Sequence, residues 1–485
     1  MNFKYVMIAC AALMAGFTSC SNDDEEAKQI DGEDAIVRFS LVQNTQNTRA
    51  NVDGGATDDE KKVHSAKLFV FNASQLLEKT IEFDPETTSK VETIKSGLHH
   101  FLVAVNYDVD MDANITLSEG RKILRDKMTG MADIITKGGA PGYFMTNVDD
   151  FSQNLSPTST STNPETVKIS VGRAMAKVKM ACENGDNDTS LSGPKGKLVD
   201  IKYMAANNPK AMYNFPVRES GIYKAAYFDN DVYDWMSDDD HNDLYFPSIK
   251  FADTYIDIHD HATAVKPVPV ATKEPAIYIM ENANKIPRNH NASYLLISGQ
   301  FQPEEWVDVT NTQTTASSNG TFYRLYNVTH NQYYDYYIAA TDAEIKNIDL
   351  KDFAKADVDA RDRINVIKYE NGYCYYAFYL RNDKAAASDS RYTVKRNVFY
   401  DVKLKQVLGA GASVPNIVGN GGDDTTEGGK DPDKYIPGTG GGDGDGNNHD
   451  NNNGGGPTPI DENATIQGEI SVEDWDVVEQ PGTIG

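Results

Sequence analysis

The chain is short of cysteine and of basic side chains. Only four of its 485 residues are cysteine, and two of them, Cys10 and Cys20, fall in the first twenty positions. The other two, Cys182 and Cys374, have no metal-ligand spacing, and a disulfide scaffold uses more cysteines in a much shorter chain. Each lies in an apolar run, KVKMAC or YCYYAF, and reads as a buried small hydrophobe, with one bridge between them left open. The 46 Lys and Arg against 72 Asp and Glu give a formal charge of −26. That deficit excludes a nucleic-acid binder, which needs a basic footprint for the phosphates. The apolar run from Val6 to Phe17 is too short to cross a bilayer, which takes about 20 residues. Catalytic signatures are missing as well. HDH at 259–261 has no outlying partner for a metal, and SDDDHND at 237–243 reads as a solvated acidic loop. DGDGNN at 443–448 lacks the turn glycine and the closing glutamate of a calcium loop. GAGAS at 409–413 follows a strand but opens no helix, so it is no phosphate fingerprint. With no nucleophile elbow, zincin motif or paired carboxylates, the chain reads as a non-enzyme that takes no metal or cofactor.

What is present begins with an export signal. Lys4 supplies the positive start, the apolar run follows, and FTSC places two small residues before Cys20. This is the pattern of a bacterial lipoprotein signal over residues 1–19, with Cys20 diacylated and anchored in the outer membrane. The acidic SNDDEE that follows resembles the tag carried by surface-exported lipoproteins of Bacteroides-type bacteria.

IVRFSLV at 36–42 alternates cleanly. Val37, Phe39 and Leu41 share one face and Arg38 and Ser40 the other, as in a half-buried strand. The polar spacer after it, QNTQNTRANVDGG, holds a single basic residue, Arg49. A globular body follows from about residue 62. Strands are expected in AKLFVFN, HHFLVAVN, GYFMTN and TVKISVGRAMAKVKMAC, and a helix over 115–131 with Ser118 as its N-cap. The turn-rich ENGDNDTSLSGPKGK at 183–197 marks a domain boundary. A second body to about 416 carries KLVDIKYM, PAIYIMEN, ASYLLISGQF, TFYRLYNV, GYCYYAFYL and NVFYDVKLKQVL. Short strands with few helices imply β-sandwiches. The Gly- and Asp-rich stretch 417–460 cannot bury enough apolar surface to fold and reads as a flexible linker. Alternation returns in ATIQGEISVEDWDVVEQ, where Ile466, Ile470 and Val472 share a face with Gly468. Trp475 and Val477 follow with the parity shifted, as though a bulge fell at Glu473–Asp474. This strand has no evident neighbour of its own.

Taken together, these segments resemble the fimbrillin family, the pilus shaft proteins of Bacteroides-type anaerobes, and within it the stalk subunits of short fimbriae. The FTSC lipobox, Arg49–Ala50, KLFVFN followed by FLVAVN, YFMTN, RAMAKVKM, YIMEN, KRNVFYDVKLKQVLGAGASVP and VEDWDVV carry the resemblance. It implies a mostly β chain with two tandem transthyretin-like β-sandwich domains, at 50–198 and 199–416, and no catalysis. It also implies a propeptide, 20–49, that an arginine-specific protease removes by cutting between Arg49 and Ala50. The lost N-terminal strand, with Val37, Phe39 and Leu41, would then be replaced by a donor strand from residues 461–485 of the next copy, through Ile466, Ile470, Val472, Trp475 and Val477. The partners implied are identical subunits in a homopolymer, accessory anchor and tip pilins, and host or bacterial surface ligands. The alternatives are an anchor or tip subunit of the same pilus, or a surface glycan-binding lipoprotein using the aromatics AYF and YDW.

Overall fold

The computed structural model describes residues 32–43, 466–474 and most of 56–413, the exceptions being 126–127, 129–131, 138, 158–159, 184–189, 230–243, 247–255, 258–275, 288–290, 328, 330–331, 355–363 and 386–387. The chain is mostly β. In order, the main elements of the first body are β1 (Asp34–Gln43), helix α1 (Asp58–Lys61), β2 (Ala66–Phe71), β3 (Leu77–Glu82), β4 (Ser89–Lys95), β5 (Gly97–Val105) and helix α2 (Leu117–Arg121). They continue with β6 (Met145–Asn147), β7 (Phe151–Leu155) and β8 (Glu165–Arg173), and β9 (Met175–Cys182) opens the second body. Then come β10 (Ser190–Gly193), β11 (Gly196–Ala206), β12 (Ala276–Met280), β13 (Tyr294–Pro303), β14 (Phe322–Asn327), β15 (Ile364–Tyr369), β16 (Tyr373–Tyr379), β17 (Val398–Val407) and β18 (Ile466–Asp474).

One eight-stranded sheet makes the first body, in the order β3-β2-β5-β6-β8-β1-β4, with β7 also paired to β5. Its strands alternate inward and outward, so a single face gathers Val37, Phe39, Leu68, Val70, Ile81, Phe101, Val103, Val167 and Ile169 into one core. The two outermost strands, β3 and β4, come together through side chains: Lys79 Nζ donates to Glu92 Oε2 at 2.9 Å and to the Thr93 carbonyl at 3.1 Å. The sheet is rolled upon its own core.

The second body is a sandwich. One sheet runs β12-β9-β17-β18 and the other β10-β11-β13-β16. Between them lie Ala176, Val178, Leu198, Ile201, Leu295, Ile297, Cys374, Tyr376, Val402 and Leu404. The two cysteines, Cys182 and Cys374, are both buried and form no disulfide bridge. A third apolar cluster joins the bodies, with Phe69, Phe71, Leu102 and Phe144 from the first and Met175, Tyr278, Met280 and Phe399 from the second.

Two local expectations are corrected. The run 166–182 is two strands, not one: β8 belongs to the rolled sheet and β9 to the sandwich, and the switch falls at Ala174, upstream of the turn-rich stretch at 183–197. Every residue of β9 is buried, because one of its faces covers the sandwich core and the other the junction. The helix at 115–131 is also much shorter. It starts from Thr116, whose hydroxyl accepts from Glu119 N while Glu119 returns a bond to Thr116 N, a capping box that Ser118 does not form. It stops at Arg121 because Leu124–Arg125 is drawn into a ladder with Met212–Tyr213. Tertiary pairing overrides the helical spacing there.

Candidate functional site

The most unusual strand of the molecule is its first. β1 runs parallel to β8, pairing Val37 with Glu165 through Gln43 with Val171. On its other side it is antiparallel to β4, pairing Asp34 with Lys95 through Ser40 with Ser89. Ala35, Val37 and Phe39 are fully buried and Leu41 nearly so, while Arg38 faces out. The Phe39 ring meets Phe101 with centroids 5.6 Å apart. At about 1.5–3 kcal/mol for each large side chain, Val37, Phe39 and Leu41 contribute roughly 5–9 kcal/mol of gross burial, an upper bound. The expected face of this strand is thus the observed one. Ala35 and Gln43 extend that face at both ends, and the same alternation would have included them.

The segment after the spacer is anchored at the junction. Thr57 caps α1 and forms a capping box with Glu60, visible in the sequence as TDDE. Glu60 is fully buried. Its carboxylate accepts from Thr57 N at 2.7 Å, from the Tyr278 hydroxyl at 2.5 Å and from Lys177 Nζ at 3.3 Å. Burial, and then the charge of Glu60, pushes the Tyr278 phenol well above its usual range. The Arg173 guanidinium donates to the Glu60 carbonyl at 3.0 and 3.2 Å, and Arg173 N donates to Asn397 Oδ1 at 3.0 Å. β1 is tied to this assembly by Gln43, whose Nε2 donates to the Lys61 carbonyl at 2.7 Å. A second buried pair lies nearby, where Arg396 contacts Glu281 at 2.5 and 2.9 Å just before β17. Composition gave no hint that these charges are buried.

The tail strand is not alone. β18 lies antiparallel on β17, pairing Ile466 with Val407 and Asp474 with Val398. This corrects the expectation that it has no neighbour in its own chain. Ile466 is buried in the sandwich core, and Ile470 and Val472 pack half-buried against it. Gln467, Glu469 and Ser471 face out. Gly468 is required by close approach: a Cβ there would stand 2.8 Å from the Lys403 carbonyl and 3.0 Å from the Phe378 ring. The expected bulge at Glu473–Asp474 is absent; both residues stay in register, and the irregularity falls between Leu404 and Gln406 on the facing strand. Among the described residues β18 is the outermost strand of its sheet, paired on one side.

Cys20, Arg49, Ala50, Trp475 and Val477 lie outside the described residues, as do HDH, DGDGNN and YDW. The other aromatic segment, AYF at 226–228, is half-buried, and Phe228 packs on a small cluster with Tyr223 and Ala283. Among the described residues no three His, Cys, Asp or Glu side chains gather as a metal site, and no helix is long and apolar enough to cross a membrane.

No family model matches the sequence, and no curated protein does. Among solved structures the chain is similar to a fimbrilin (FimA) from Porphyromonas gingivalis, at 15% identity and a TM-score of 0.44, over 92% of this chain and 99% of that one. It is also similar to the tip fimbrial protein Mfa3 from Porphyromonas gingivalis, at 14% identity and a TM-score of 0.38, over 77% and 95%. A fimbrial assembly protein from Parabacteroides distasonis aligns at 9% identity and a TM-score of 0.31, over 77% and 91%.

Proposed function

We propose that this chain is the shaft subunit of a cell-surface pilus. It is exported as a lipoprotein on Cys20, cut after Arg49, and polymerised when the tail strand of one copy fills the slot that β1 leaves in the next. The observation that carries this reading is the contrast between the two terminal strands. β1 is paired on both sides within a sheet, whereas β18 has the same inward and outward alternation but, among the described residues, is paired on one side. A β18 segment moved from its edge into the slot gains a second hydrogen-bonded neighbour. Strand addition of this kind draws affinity from the backbone and register from alternate side chains.

An open slot in the middle of a sheet is a pairing hazard, and it is relieved only by another strand. Donor and acceptor are different surfaces, so the contact is heterologous and propagates as an open filament of identical copies. Anchor and tip pilins would bound such a filament, and host or bacterial surfaces would be its ligands. The chain performs no catalysis in this role.

Two measurements test the reading. The N-terminus of surface-extracted protein is expected at Ala50; an acylated Cys20 as the sole mature N-terminus would overturn it. A chain truncated at Ile460 is expected to be cut at Arg49 and to stay monomeric by electron microscopy. Normal filaments from that truncated chain would remove the tail from the mechanism.

A further inference from the structure

The two walls of the β1 slot are built differently. β8 is braced from behind. Val167, Ile169 and Val171 are fully buried, β6 pairs with Val171 through Arg173, and Val148 N donates to the Ser170 carbonyl at 3.1 Å. The Glu165 carboxylate accepts from Gln153 Nε2 at 2.8 Å and Ser156 N at 2.7 Å. At the other end of β8, Arg173 is fixed by Glu60 and Asn397.

β4 has no such support. Among the described residues β1 is the only strand it pairs with. That pairing continues past both ends, from Ser96 N on the Glu33 carbonyl to Leu41 N on the Thr88 carbonyl, each 2.8 Å. Ile94 is the only β4 side chain buried in the core, and Val91 is 46% exposed. On its outer edge β4 meets β3 through side chains: Lys79 on Glu92 and the Thr93 carbonyl, Lys90 on the Glu82 carbonyl at 2.7 Å, and the Glu78 carboxylate on the Lys95 backbone. Lysine contacts near the surface, such as these, stabilise little. β4 is bounded by Gly97 (φ 115°), which opens β5, and by a turn holding Glu86 (φ 60°).

We propose that β4 is a hinged flap that opens whenever β1 leaves. A strand entering the slot pairs first with the braced β8, and β4 then closes over it as the second wall. Capture is thus two steps, a concentration-dependent docking and a first-order closure. This rests on the strand-exchange reading for its occupant, but the flap itself is a property of the uncut chain.

Hydrogen exchange read by mass spectrometry on the full-length chain tests it. In the uncut protein, amides of β4 are expected to exchange at least as fast as those of β1, and about tenfold or more faster than those of β5. β4 amides slower than those of β1 would overturn the proposal, because a flap cannot stay closed without its only strand partner. At about 1 M sodium chloride, where the Debye length falls to about 3 Å, β4 exchange should quicken while β5 is unchanged. The surface variant Lys79→Ala with Lys90→Ala should reproduce that quickening at low salt; unchanged β4 exchange in it would also overturn the proposal. The same comparison is repeated after cutting at Arg49. If the mass shows residues 20–49 still attached after the cut, strand removal fails as a function, while the uncut-chain rates judge the flap independently.

Discussion

Replacing Glu60 by Gln should cost far more than a change of one atom suggests. The carboxylate sits without solvent contact among three donors, the backbone N of Thr57, the Tyr278 hydroxyl and the Lys177 ammonium. Lys177 is itself 1% exposed, so neutralising Glu60 strands a positive charge in the junction and turns an amide NH₂ toward other donors. Breaking a buried pair from one side typically costs about 3–5 kcal/mol. For bodies of this size that corresponds to a fall of roughly 10 °C in the midpoint of thermal unfolding. Lys177→Met should recover most of it in the double variant, because a flexible apolar chain of similar length packs beside the Phe399 ring, 6.0 Å from Nζ. The expected cost of the double variant is about 1–2 kcal/mol, well below the sum of the singles. Denaturant melts of the four proteins make the cycle. If Glu60→Gln costs less than about 1 kcal/mol, or the two changes simply add, the charges are not paired as described and the junction is held by its apolar cluster alone.

Phe39→Ala should destabilise the first body by about 3–5 kcal/mol, since it empties a fully buried site against Phe101; an unfolding titration that leaves the midpoint unmoved would contradict the observed burial. Gly468→Val should release the tail strand from β17, because the added carbons meet the Lys403 carbonyl and Phe378; limited proteolysis of the uncut chain should then cleave near the C-terminus sooner than in the parent. Glu78 is held below the usual carboxylate range chiefly by its hydrogen bond from His99, with further help from the Lys95 backbone. A depressed carboxylate gives stability that is present above its unfolded pKa and lost as pH falls through the folded value. Stability of the first body should therefore decline from about pH 5 downward, and Glu78→Gln should flatten that part of the profile. Burial pushes the Cys374 thiol up to about 11, so at pH 8 it should resist thiol reagents until the protein unfolds, and labelling of the native chain would refute its placement.

Legibility in the sequence followed the range of the interaction. The face of β1 was readable because its in-and-out alternation is local, and so was the half-buried face of β18. The partner of β18 was not, since a strand pattern names no neighbour and β17 lies beyond a long polar stretch. The division at Ala174 was hidden for a different reason. β9 is buried on both faces, so no polar residue interrupts the apolar pattern where one sheet gives way to the next. The helix near 115 was overread because Leu124 and Met128 fit a helical stripe, yet Leu124 ends up 44% exposed in a short ladder. Glu60 and Lys177 look like surface charges in any composition count. Only the TDDE capping box pointed to local order there, and nothing local announced that the box would be enclosed by β9 and β12.

The parallel pairing of β1 with β8 has a consequence for the order in which the chain folds. Val37 waits for Glu165, so the first strand to emerge during synthesis cannot take its place until nearly the whole body has been made. Contacts so distant along the chain form late, because the loop they close must be ordered before they repay it. Meanwhile β2, β3, β5, β6 and β8 have ladders of their own that do not involve β1. The place of β1 between β4 and β8 is therefore completed only once Glu165–Arg173 has been made. A sheet completed by a strand from far along its own chain is, on the strand-exchange proposal, one that takes its replacement from another copy.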